Sequence, residues 1–167
     1  MARELTISNF GLFIGYVLPG FTALGGLPFL AGATGWGTAA DGSDPSITEF
    51  LSGTVEAVAT GLTVSTVRWL VVDTIHHRTG LRPPRWDFRV LDEAADAFEL
   101  LIQIHYHYYK FYANMVVALV WAYLAGGYAY GWRGLWYGVL AALFFVASRD
   151  TLMKYYERSG RLLSSSS

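Results

Sequence analysis

The sequence predicts an all-α integral membrane protein: a four-transmembrane-helix bundle with cytoplasmic extensions of helices 3 and 4 and with both termini cytoplasmic. Four long apolar stretches, about residues 10–34, 50–75, 108–130 and 133–150, each approach the length needed to cross the bilayer. A helix needs about 20 apolar residues to span a hydrocarbon core of about 30 Å. Composition agrees, since 53% of the 167 residues are hydrophobic and only 15% are charged. Soluble domains carry about 25% charged residues. The Lys and Arg residues lie mostly outside the apolar stretches and are distributed unevenly between the loops.

That unevenness assigns the sides. The 35–49 connection contains no Lys or Arg, only Asp41, Asp44 and Glu49, and the turn before span four carries Arg133 alone. The 76–96 loop carries Arg78, Arg82, Arg85 and Arg89; Lys154, Arg158 and Arg161 follow span four, and Arg3 precedes span one. Cytoplasmic loops concentrate positive charge. The expected location is therefore the cell membrane, multi-pass, with the N-terminus, the 76–96 loop and the C-terminus inside. Residues 1–163 form one membrane domain, and Ser164–Ser167 reads as a disordered tail. The N-terminus has no basic n-region, and no small-residue cleavage site follows its apolar run, so span one reads as retained.

Taken in order, span one is interrupted by Gly11, Gly15, Pro19-Gly20, Gly25-Gly26 and Pro28. It reads as a kinked packing helix, or else as a hinge, re-entrant turn or pore-lining segment, because broken backbone survives in lipid only where protein or water satisfies it. Span two carries Gly53, Ala57, Gly61 and Ser65 at four-residue spacing. Such a row of small residues lets helices approach closely, with either another span or another subunit as partner. Pro83-Pro84 divides the following loop.

Helix 3 is uninterrupted by Pro or Gly from about Leu91 to Ala125, roughly 50 Å at 1.5 Å per residue. Its apolar part starts only near Phe111, so its first turns project into the cytoplasm. Span four likewise continues past Ser148 until Gly160 offers a stop. Leu100, Leu101 and Ile104 on one extension and Leu152, Met153 and Tyr156 on the other are expected to pack together.

Ionisable and polar groups at membrane depth are costly and usually face an interior, a cavity or a partner. Glu56, Arg68 and Asn114 are the interior or pore-lining candidates. Glu56 and Arg68 stand about 18 Å apart along one helix, too far to pair. Arg68 is expected to snorkel inward or reach Asp150 or Glu99. Asn114 bonds across helices or lines the same cavity as Glu56. Asp73, His76, His77, His105 and His107 are candidates for a cytoplasmic interface. Asp73 and His77 share a helical face, which leaves a metal or proton-relay site open, but His105 and His107 do not. The run His105–Tyr112 also reads as an interfacial aromatic belt.

No catalytic residue, metal or cofactor is assigned. The chain has no cysteine, which excludes disulfides, thiolate metal sites and thiol catalysis. It also lacks a GxSxG elbow, an HExxH pair and a phosphate-binding glycine loop. A net charge of −1 gives no basic field for nucleic acid. The Arg loop with Trp86 and Phe88 reads as headgroup contact.

The expected function is a homo-oligomeric channel, pore or membrane-perturbing effector controlled from the cytoplasm, and not an enzyme. One alternative is a non-conducting membrane anchor or subunit whose cytoplasmic face docks a protein partner. A second is a His-dependent membrane metalloenzyme. Four spans are few for a secondary transporter, and no inverted repeat is visible.

Overall fold

The structure, a computed structural model, describes residues 10–11, 13–26, 47–126 and 132–163. Expectations for Pro28, for most of the 35–49 connection and for the 164–167 tail lie outside the described residues. Within them the chain is all-helical, with four helices and no strand.

Helix α1 comprises a π-helical turn, Phe13–Val17, followed by α-helical Leu18–Gly25. Helix α2 runs through Ile47–Arg68, a second π turn at Trp69–Asp73, and Thr74–Arg78. Helix α3 begins with a 3₁₀ turn, Phe88–Val90, and continues through Leu91–Leu101, a third π turn at Ile102–Tyr106, and His107–Ala125. Helix α4 is one uninterrupted α-helix, Trp132–Leu162, of 31 residues, or about 46 Å.

Helix α3 is the hub. It packs against α1, α2 and α4, while α1 packs on both α2 and α3. The α1–α2 crossing is close because glycines meet backbone. A Cβ added at Gly20 would lie 1.8 Å from the Ala57 carbonyl oxygen, and one at Gly61 would lie 2.0 Å from that of Tyr16. Gly53, Ala57 and Gly61 are buried and Ser65 is half-buried, so this part of the small-residue row packs on α1 of the same chain. Pro19 follows the π turn directly, so its missing N–H leaves the Gly15 carbonyl without an α-helical donor.

Helix α2 ends in a Schellman arrangement. Leu81 N–H donates to the His76 carbonyl at 3.1 Å and Gly80 N–H to that of His77 at 3.3 Å. Gly80 takes the required positive φ, 103°. The chain then runs as an extended strap, residues 81–87, onward along α4 to its C-terminal end. Leu81 is buried, Trp86 Nε1 donates to Ser159 Oγ at 3.2 Å, and Asp87 N–H donates to the Leu163 carbonyl at 3.0 Å.

Two expectations about the extensions are corrected. Gly160 does not stop α4, which continues to Leu162. A glycine inside a helix costs only about 1 kcal/mol, and here its bare face admits the strap: a Cβ would sit 3.0 Å from Pro84 Cβ. Leu100, Ile104 and Met153 are exposed rather than packed together. The core at this end is built instead from Val72, Leu81, Tyr109, Ala113, Leu152 and Tyr155, with Ile102, Tyr106 and Tyr156 beside it. The π turn at Ile102–Tyr106 bonds i to i+5, so an apolar stripe drawn at 3.6 residues per turn falls out of phase across it.

The outward faces are apolar. Phe50, Leu62, Trp69 and Leu70 on α2, and Leu135, Trp136, Leu143 and Val146 on α4, each keep half or more of their surface exposed. Two helices, Phe50–Arg78 and Gly134–Leu162, are long and apolar enough to cross a membrane, yet only 28% and 11% of their most apolar windows is buried.

Two glycine substitutions should separate. Gly61→Val, which drives side-chain atoms into the α1 backbone, is expected to destabilise by about 1–3 kcal/mol. Gly138→Ala, where nothing lies within 4 Å of the added Cβ, is expected to be neutral or to stabilise by up to about 1 kcal/mol. Thermal melts of the two variants in mild detergent measure the difference.

Candidate functional site

The polar residues of the bundle gather in a buried seam between α2, α3 and α4, and the π turn of α2 creates its centre. In an α-helix, residues five apart lie roughly 140° apart around the axis, so Arg68 and Asp73 would diverge. The i to i+5 bonding of Trp69–Asp73 stacks them instead. Arg68 Nη1 stands 3.5 Å from Asp73 Oδ1, with side chains 7% and 15% exposed. Tyr109 of α3, itself buried, donates its hydroxyl proton to the same oxygen. The Arg68 guanidinium also lies over the Tyr109 ring, 5.4 Å from its centroid. Cation, carboxylate and phenol thus form one unit joining α2 to α3.

One helical turn further along α2, His76 is fully buried. The single hydroxyl proton of Ser148 on α4 goes to the Phe145 carbonyl at 2.8 Å. His76 Nε2–H therefore donates to Ser148 Oγ, at 2.9 Å. The imidazole packs on Phe145 at a centroid distance of 4.9 Å. Beside it, Arg149 donates to the Thr79 hydroxyl and to the Thr79 carbonyl, the latter at 3.0 Å, and so closes the C-terminus of α2.

At the other end of the seam, buried Asn114 donates through Nδ2 to the Gly15 carbonyl at 2.6 Å. Pro19, four residues on, has no N–H to offer the Gly15 carbonyl, so the Asn114 side chain on α3 supplies a donor where the α-helical one is missing. Arg68 Nε and Nη1, Asn114 Oδ1, His76 Nδ1 and His105 Nδ1 have no hydrogen-bond partner among the described residues, so Arg68 meets Asp73 as an ion pair rather than through a hydrogen bond.

The expected residues therefore separate into different environments. Arg68 pairs with Asp73, not with Asp150 or Glu99. Asn114 bonds across helices. Glu56 is half-buried beside Ala57 at the α1–α2 crossing and does not join them. The histidines diverge. His77 is exposed and hydrogen-bonds Tyr156 Oη at 3.1 Å, while His107 packs against Gly11. His105 is buried on the side of α3 that faces the basic end of α4. Among the described residues no three His, Asp or Glu side chains come together as a metal site. Asp73, read as an interface residue or as part of a metal or proton-relay site with His77, is the centre of the seam. Tyr109 and Ser148 were not expected there, because a tyrosine in an aromatic run and a serine ending a span carry no distinctive pattern.

Burial, and then the nearby charges of Arg158 and Lys154, lower the pKa of His105 below the ordinary histidine value. Burial, followed by Lys110, does the same for His107.

No known family, curated protein or solved structure matches this chain.

Removing one member of a buried ion pair strands the other. Asp73→Asn is expected to destabilise by about 3 kcal/mol or more, and Arg68→Met combined with Asp73→Asn to recover part of that loss. Tyr109→Phe should cost about 1–3 kcal/mol. Melts of the three variants form the test, and equal losses from the single and double substitutions would refute a charge-paired unit.

A lowered histidine pKa makes the folded state prefer the neutral ring. The His105 contribution is complete above about pH 6.5 and is lost as pH falls below that value toward the lowered folded one. His105→Gln is expected to flatten the fall in melting temperature over this acidic range.

Proposed function

We propose that the chain is a multi-pass integral membrane protein that acts as a non-conducting anchor or subunit, presenting a cytoplasmic platform to a protein partner. The observation that supports this reading most is where the polar groups go. Arg68, Asp73, Tyr109, His76, Ser148 and Asn114 turn inward and bond within one chain, while the outward faces of α2 and α4 are apolar. A water-soluble bundle buries its apolar side chains, and lipid rewards the reverse. The platform consists of the strap and the ends of α3 and α4, which carry the Arg-rich segment.

An oligomeric channel finds less support. Two of its three expected lining residues, Arg68 and Asn114, are buried inside the protomer and bonded there, so they are not free to line an axis between subunits. The metalloenzyme reading lacks a converging set of ligands among the described residues.

The native chain has no cysteine, so single introduced cysteines report topology cleanly. Resistance to alkaline carbonate extraction is expected. Asp44→Cys should react with a membrane-impermeant maleimide on intact cells, and Arg158→Cys only after permeabilisation. The opposite labelling would invert the topology. Ion conductance by the purified protein, abolished by Glu56→Gln, would overturn the anchor in favour of a channel.

A further inference from the structure

We propose that one internal water molecule is held between Arg68 of α2 and Asn114 of α3, bridging the guanidinium Nε–H to the side-chain carbonyl. The site lies where α1, α2 and α3 meet. It goes beyond the reading above, because it concerns how the seam is closed inside the chain rather than what docks on its surface.

The two residues face each other at one level. Helices α2 and α3 run antiparallel: Val64 clusters with Ala118 and with Ala23 of α1, and further along Arg68 lies over the Tyr109 ring. Four residues on from Val64 stands Arg68, and four residues before Ala118 stands Asn114. Each step is one helical turn, about 6 Å, so both residues sit one turn from the same contact, on the same side of it. Arg68 is 6% exposed and Asn114 is fully buried, so both side chains turn into the junction.

Each brings an unsatisfied atom. Arg68 Nε and Asn114 Oδ1 are buried with no hydrogen-bond partner among the described residues. The bond from Asn114 Nδ2 to the Gly15 carbonyl fixes which end of the amide is which, so the orphan on α3 is an acceptor. The guanidinium is a rigid planar fork. Its outer part leans toward Asp73 and the Tyr109 ring, which leaves Nε, the nitrogen nearest its own backbone, at the level of Asn114.

A donor and an acceptor that face each other select the ligand. An anion would answer Nε but not Oδ1, and a cation would be repelled by Arg68. A small neutral molecule that accepts one hydrogen bond and donates another serves both, and water is of that kind. Two to four polar partners suffice to hold a buried water. Leaving either atom bare inside a bundle surrounded by lipid would incur its full desolvation penalty. With the bridge in place, polar contacts run unbroken from Gly15 through Asn114, Arg68 and Asp73 to Tyr109.

The test uses the isotope-labelled full chain in phosphatidylcholine nanodiscs and reads the Arg68 Nε–H resonance in water-selective NOE and ROE spectra. Arg68→Lys assigns that resonance by removing it. Water cross-peaks of opposite sign in the two spectra, the signature of a bound water, are expected. Asn114→Leu, which keeps most of the volume and removes the acceptor, should abolish them. The wild-type spectra decide by themselves if that variant does not fold. Absence of a water cross-peak would overturn the proposal, as would a direct hydrogen bond from Arg68 Nε to Asn114 Oδ1 in a high-resolution structure. Cross-peaks of the same sign in both spectra would also sink it, because they report proton exchange with bulk water reaching the seam. Survival of the bound-water signal in Asn114→Leu would refute the bridge to α3.

Discussion

Arg68 reaches Asp73 because the backbone between them is π-helical, and the organisation of this end of the bundle depends on that contact. A buried guanidinium is tolerable only with a counter-charge close by. The wider turn brings one from the same helix, and Tyr109 then attaches the pair to α3 through its hydroxyl and its ring. With Tyr109 in place, His76 lies between it and Phe145, and His76 carries the connection to Ser148 on α4. Three helices are thus brought into register by one chain of polar contacts, and the apolar cluster around Val72 and Leu152 fills the space about it.

The same device recurs. Each of the first three helices contains a π turn within the described residues, and each lies beside a polar group turned inward: Gly15 with Asn114, Arg68 with Asp73, and His105. A π turn rotates the following part of a helix relative to what came before. It can aim a polar residue into the interior without breaking the rod. Helix α4 has no such turn among its described residues, and its apolar face is largely exposed. It serves as a straight wall against which the adjusted helices are set.

This division of labour bears on the proposed membrane function. Polar groups committed to helix registration are poorly suited to moving ions, which need partners they can exchange. The inward seam therefore speaks for a scaffold. The active surface of such a scaffold would be its strap-bearing end, where proline, tryptophan and a bare glycine on α4 hold the segment in place and Arg82 and Arg85 on it are exposed.

Much of the architecture was legible in the residue order, because hydrophobic length and charge placement are properties of the chain itself. Helices at the four apolar stretches, the long α3 free of Pro and Gly, and the close-packing row on α2 all follow from local composition and spacing. The partner of that row did not, since a small residue says only that something approaches closely. Only the tertiary structure decided that α1 is the neighbour, that Arg68 turns to Asp73, that Gly160 receives the strap and that the four histidines part company. The physical reason is common to these cases. Reading faces from sequence assumes 3.6 residues per turn, whereas the π turns change that period at the positions where the polar groups sit. Where the helical period is ideal, side-chain direction can be read from spacing; where packing distorts it, direction belongs to the folded whole.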